Sequence, residues 1–343
     1  MKKTTIEDVA KRAGVSKGTV SAVMNARNTV SLQTRDHVLD VMKELHFRPQ
    51  GIARNLRNGN QYKSIGIIIK DVNYPFFTEI ASGVGEYANS KGYSLLITSS
   101  EYSHKSEERL SQFFSAKDIK GAIIAPIVEG TAEIEHLFKL KMINYPFVLL
   151  ADVKGIQANV VAIDNSKAIK KAVKFLMDHG HTRIVHFAGP PSSSHTLERI
   201  EGFRNAFSES TLAFREEMIF SVGSRHEESY NNTLDYFRKR DRSEYPTAIV
   251  CFNDGQALAI LAALKELGIR VPGDISIIGN DDISYASIYP VPLTTIRAPQ
   301  REIGERAAQL LIRNIESSRP LPVERVVLET ELIVRDSTRD VVR

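Results

Sequence analysis

The sequence predicts an all-α N-terminal headpiece followed by an α/β core of two lobes, each built on a doubly wound parallel sheet. Three observations lead there. The stretch from Thr4 to Asn25, TTIEDVAKRAGVSKGTVSAVMN, carries helical periodicity interrupted by one glycine. From Lys63 onward, short β-rich apolar runs alternate with amphipathic helical segments in two successive series. Charge is also divided unevenly. The chain of 343 residues carries a formal +4. Within residues 1–60, eleven Lys and Arg oppose five Asp and Glu, which puts +6 on the head and −2 on the rest. A basic head on a mildly acidic body points to a polyanionic partner for the head alone.

In the headpiece, Ile6, Val9, Ala10 and Ala13 recur at spacings of three and four, the signature of one buried helical face. Gly14 can turn the chain at positive φ without steric cost. Ser16 can then cap a second helix whose inward face is Val20, Val23 and Met24. Ala10 is small where two helices of a helix-turn-helix must cross. Ser31 opens a third helix with a stripe of Val38, Val41, Met42 and Leu45, and Pro49 follows its end. Residues 1–49 therefore form the headpiece. Residues 50–61 form a linker in which QGIARNLRN is a short potential helix, marginal in water at that length and weakened by Gly51.

The core begins at residue 62. SIGIIIK, YSLLITS, GAIIAP and PFVLLAD form one series of strands, with helices from about Phe76, Lys105 and Thr131. RIVHFAG, TAIVCFND and ISIIGNDD form the second, with helices from about Asn165, Thr196, Glu227 and Gly255. Nearly continuous apolar strands alternating with helices imply parallel sheets covered on both faces. Ligands of such sheets sit beyond the carboxyl ends of the strands. Polar and aromatic residues just after strands are therefore candidates: Asn73 to Phe77, Asp152, Asn253 and Asp281. Capping of the following helix is the competing role for Asn253 and Asp281, as it is for Asp254 and Asp282. The end, VERVVLETELIVRDST, returns as strand-like sequence, and no leucine heptad follows it to build a coiled coil.

Other classes fit poorly. Cys251 is the only cysteine and lies in the apolar run TAIVCF, as a buried strand residue would. MKKTTIEDVA has no apolar signal core and no stretch is long enough to span a bilayer, so a cytoplasmic location is expected. Asp281 and Asp282 are not a catalytic carboxylate pair, because neighbours on one strand end point apart. Nothing marks an activated nucleophile. The histidines show no metal-ligand spacing, and no phosphate-binding glycine loop follows the first strand. No catalysis, metal or cofactor is expected.

The runs IEDVAKRAGVSKGTVSAVMN, VSLQTRDHVLDVMKELHFRP and IARNL resemble the N-terminus of the lactose repressor and galactose repressor family of bacterial transcription regulators. That resemblance extends over nearly the whole chain. It implies a sequence-specific regulator, expected to be a repressor of carbohydrate-related genes, that binds a palindromic operator as a homodimer. Its second helix would enter the major groove, with Lys17, Gly18 and Ala22 toward base edges and Asn25 as a further DNA contact. Thr5, Ser16, Thr19 and Ser21 would touch phosphates, Arg54 would be a further DNA contact, and Leu56 would wedge into a base step of the minor groove. Alanine at 22 replaces the arginine common in the family, so it offers a methyl contact rather than a guanine fork.

The core resembles periplasmic sugar-binding proteins, as the family's regulatory cores do. One lobe would hold about 62–162 with 292–320, the other about 163–291 with 321–336. The resemblance places Phe76 and Phe77 on a pocket wall. It makes Arg199 the grip on an effector oxygen, Asn253 and Asp281 further ligands, and His195, Arg225 and Asp152 additional lining. With His195, Arg199 and Arg225 around one cleft, a sugar acid or sugar phosphate is the expected effector ahead of a plain sugar.

Overall fold

The computed structural model describes residues 4–24, 29–45, 47, 63–128, 134–223 and 225–341. The candidate DNA contacts Asn25, Arg54 and Leu56, and the linker 50–61, lie outside the described residues. The chain divides into two compact units, Met1–Tyr62 and Lys63–Arg343.

In the first unit, α1 (Ile6–Arg12), α2 (Lys17–Met24) and α3 (Leu32–Glu44) pack around Val9, Ala10, Ala13, Val20, Val23, Val38 and Val41. Thr5 starts α1 with a capping box: its hydroxyl accepts the Asp8 N–H, and the Asp8 carboxylate accepts from the Thr5 backbone at 2.7 Å. Gly14 turns the chain at φ +65°, a conformation costly for any residue with a Cβ. Ser16 Oγ accepts the Thr19 N–H at 3.0 Å and so starts α2, while Ser31 caps α3.

The second unit contains two six-stranded sheets. The first takes β1 (Lys63–Ile69), β2 (Tyr93–Ser99), β3 (Ile119–Ile124), β4 (Phe147–Leu149), β5 (Asn159–Ile163) and the late strand β11 (Arg325–Leu328). Their order is β11-β5-β4-β3-β1-β2, and every pairing is parallel. Strand alternation divides its side chains between two layers. Ile65, Ile67, Ile69, Ile123 and Val148 pack beneath α4 (Pro75–Ser90) and α11 (Gln300–Glu316). Ile68, Ala122, Ile124 and Leu149 face α5 (His104–Ala116) and α6 (Glu135–Met142). Burial on both faces is why these strands read as unbroken apolar runs.

The second sheet holds β6 (Ile184–Ala188), β7 (Ile219–Ser221), β8 (Ala248–Cys251), β9 (Ser276–Asp281), β10 (Thr294–Arg297) and β12 (Glu331–Ile333), in the order β12-β10-β9-β8-β6-β7. Only β12 runs antiparallel to its neighbour. α7 (Asn165–Asp178) and α8 (Ser194–Ser208) cover one face, α9 (His226–Arg238) and α10 (Asp254–Glu266) the other.

The lobe boundaries expected from sequence need two corrections. Residues 292–320 do not all return to the first lobe: Thr294–Arg297 pairs with β9 in the second sheet, and only α11 crosses back. Residues 321–336 likewise divide, because Arg325–Leu328 extends the first sheet beside β5 before β12 rejoins the second. The chain thus passes between lobes three times. At the crossing, α4 and α11 touch backbone to backbone. A Cβ on Gly83 would lie 2.1 Å from the Arg301 carbonyl oxygen, and one on Gly304 would lie 2.0 Å from that of Ile80.

Candidate functional site

On α2, Val20 and Val23 are buried, while Ser16, Lys17 and Gly18 are exposed and Thr19, Ser21 and Ala22 half-buried. Lys17, Gly18, Ser21 and Ala22 fall at i, i+1, i+4 and i+5, one continuous helical face opposite the core. Lys17 forms an ion pair with Glu7, both side chains more than half exposed. So exposed a pair is worth little and exchanges readily for a phosphate contact. The hydroxyls differ in what they have left to offer. Thr5 directs both its O–H and its N–H at Asp8, and Ser16 shares its hydroxyl with Thr19 at 2.9 Å, so both act first as helix caps.

In the core, a cavity of about 1430 Å³ opens where strand ends of the two lobes face each other. All eight candidate ligand residues line it: Phe76, Phe77, Asp152, His195, Arg199, Arg225, Asn253 and Asp281. Arg199 is its organising group. It projects from α8, buried, with its guanidinium 4.3 Å from the Phe252 ring centroid. Nε donates to Asn165 Oδ1 at 3.1 Å, Nη1 donates to the Phe252 carbonyl, and Nη2 lies 3.9 Å from Asp281 Oδ1. Burial lowers its pKa, partly offset by the Asp281 charge, but a guanidinium stays charged at neutral pH.

Asp281 ends β9 at φ +124° and Asp282 follows at +59°. This backbone turns the two carboxylates apart, as expected. Asp281 receives the Tyr74 hydroxyl at 2.5 Å and Asn280 Nδ2 at 2.8 Å. Asp282 instead accepts from Arg297 at 2.7 Å and Arg335 at 2.6 Å, tying β10 to the C-terminal segment. Burial raises the pKa of Asp281. It also raises that of Asp254 behind it, whose oxygens receive Thr295 Oγ1 at 2.6 Å and the Ile283 N–H at 2.9 Å. Burial and the Asp281 charge keep the Tyr74 phenol protonated, so tyrosine is the donor of the pair.

The other candidates differ in availability. Asn253 caps α10, its Oδ1 accepting the Gln256 N–H at 2.8 Å, so part of its acceptor capacity is committed to the helix. Asp152 is held by Arg325 through contacts of 2.7 to 3.1 Å. His195 is half-buried near Asn165 and Glu198, and burial with the Lys70 charge pulls its pKa well below the usual value. Arg225 is exposed at the start of α9, and Phe76 and Phe77 meet edge to face at 5.2 Å. Asn165, Glu198, Phe252 and Arg325 were not among the candidates expected from sequence, and Tyr74 entered only as part of the run Asn73 to Phe77. Of these only Phe252 carried a usable signal, since it directly follows the apolar run that forms β8.

The DNA-binding region matches the model of bacterial regulatory proteins of the lacI family over residues 5–50, and residues 173–338 match a periplasmic binding protein-like domain. The HTH-type transcriptional regulator DegA of Bacillus subtilis is 34% identical over 341 residues, covering 98% of each chain. The HTH-type transcriptional repressor PurR of Vibrio vulnificus is 31% identical over 98% of this chain and 99% of its own. Among solved structures, the lac repressor dimer bound to operator and the anti-inducer ONPF superposes with a TM-score of 0.72 at 25% identity, covering 98% of this chain and all of that one. This chain belongs to the LacI family: it is a DNA-binding transcription regulator with a periplasmic-binding-protein-like core, in a family of regulators rather than enzymes.

Proposed function

We propose that the protein is a dimeric, cytoplasmic repressor that holds a palindromic operator with two headpieces. Its grip changes when a small, neutral, hydroxyl-rich molecule of carbohydrate type enters the cleft. The neutral effector departs from the anion expected from sequence, and charge balance is the observation that carries it. Among the described residues lining the cavity, seven carboxylates face four Lys and Arg. Arg199 already faces Asp281, and His195 is neutral at pH 7, so two of the three cations invoked for an anion are spent. Sugar hydroxyls both donate and accept, which suits a wall of mixed carboxylates, amides and one guanidinium. Rings on which a sugar can stack are supplied by Tyr102, Tyr285 and Tyr289, which also line the cavity.

Dimer formation is supported by β2, at the edge of its sheet with Leu96 37% and Ile97 48% exposed. An apolar sheet edge of this kind needs a cover. Two-fold pairing would match a two-fold operator, with the α2 face Lys17–Gly18–Ser21–Ala22 in each major groove.

Thermal-shift measurements with neutral sugars, sugar acids and sugar phosphates test the effector class, because a ligand of the native state raises the melting temperature. Neutral sugars should stabilise the wild type and leave Arg199→Ala unmoved. Stabilisation by acids or phosphates alone would restore the anionic reading.

A further inference from the structure

Tyr74 sits in the loop after β1, in the first lobe, and Asp281 ends β9 in the second. Their 2.5 Å hydrogen bond joins residues 207 apart in sequence and crosses the cleft. The Tyr74 ring packs against the hydrophobic cores of both lobes, and its edge lies against Gly255 at the start of α10, where a Cβ would come within 3.0 Å. Asp281 is only 3% exposed. One of its oxygens takes the phenol, while the other takes Asn280 and faces Arg199. Its backbone carbonyl accepts the side chain of Gln300, the first residue of α11, so the same residue also touches a segment crossing between lobes. A second bond spans the cleft from the Ser194 N–H to the Val128 carbonyl at 3.1 Å.

A carboxylate so covered cannot receive an effector hydroxyl until the phenol leaves. Resting on the reading of this cavity as the effector site, we propose that Tyr74 is a built-in stand-in for an effector hydroxyl, occupying Asp281 and latching the two lobes together. An effector then exchanges one O–H donor for another, and the lobes are freed to change their angle as it does so. Tyr74 thereby sets specificity: molecules without a hydroxyl placed for Asp281 leave the latch closed.

The latch can be tested on the full chain without any effector. Cys251 is buried and its thiol pKa is raised by burial, so it does not compete for label. Spin labels at exposed Lys105→Cys in the first lobe and Asn231→Cys in the second report the inter-lobe distance, with labelled subunits diluted by unlabelled ones. Tyr74→Phe keeps the ring and removes only the donor oxygen. It should move the ratio of open to closed distances roughly tenfold to a hundredfold toward open, the factor a charge-assisted hydrogen bond carries. Asp281→Asn retains an acceptor of lower charge and should produce a smaller shift in the same direction. An unchanged distance distribution in Tyr74→Phe would overturn the latch while leaving the regulator reading intact. Opening in Tyr74→Phe by a protein that binds no DNA would do the reverse.

Discussion

At the scale of single residues, the cleft combines groups that were visible in sequence with partners that were not. Asn253 and Asp281 could be read because each follows an apolar strand run, and ligands gather at such strand ends. Tyr74 and Asn165 carry their meaning only through contacts with residues far away in the chain, and no local period encodes those. The same holds for the buried carboxylates. Asp254 looked like a helix cap but accepts bonds from Thr295 and Ile283, next to the charge of Asp281. Burial, then that neighbouring charge, raises its pKa in the folded state above the unfolded value. The folded protein therefore holds more protons than the unfolded chain across this interval, so stability falls as pH rises from about 5 through neutrality. His186 and His195, whose pKa values burial lowers, oppose this below their ordinary range. The clean observable is thus the difference between wild type and Asp254→Asn in urea unfolding from pH 5 to 8. Wild type should lose more stability with rising pH than the variant, by up to about 1.4 kcal/mol per pH unit for one proton. Parallel curves would mean that Asp254 is ionised throughout.

At the scale of elements, most strands and helices were legible because their periods are long and their caps conspicuous. Ser31, Ser103, Asp164 and Asn253 each accept an N–H in the first turn that follows. Three strands were missed, Asn159–Ile163, Ile219–Ser221 and Thr294–Arg297, each only three to five residues long. A run that short shows no period distinguishable from a loop. The helix α11 was itself missed, and with it the contact with α4, since a glycine in a helix ordinarily reads only as a weak point. Here Gly304 lets α11 approach within backbone distance of Ile80, and α11 begins with Gln300, which holds the Asp281 carbonyl. Gly304→Ala should destabilise the core by roughly 1–3 kcal/mol through overpacking, despite alanine's better helix propensity. Calorimetry checks this: a core transition at or above the wild-type temperature would show that the helices can separate without cost.

At the scale of the molecule, the division into a basic helical unit and an α/β unit followed directly from charge and periodicity, and the family assignment agrees with it. The interleaving of the lobes did not follow, because TTIR and RVVL look alike locally and only pairing partners assign one to each sheet. That interleaving matters for regulation. Three chain crossings, the Tyr74–Asp281 bond and the Gln300 contact tie the lobes together at the cleft, and under the proposed latch its occupancy and the angle between lobes change together. Coupling of that variable to DNA affinity is the central claim, and it has a magnitude, since allosteric couplings of about 1–3 kcal/mol correspond to roughly 5–150-fold in affinity. The most direct test is fluorescence anisotropy of the intact chain on a site selected from random DNA, with and without a neutral sugar that raises its melting temperature. The expected result is a palindromic site whose affinity changes at least fivefold with that sugar, an effect absent in Arg199→Ala. The contradictory result is a sugar that binds the core while the affinity for DNA stays the same.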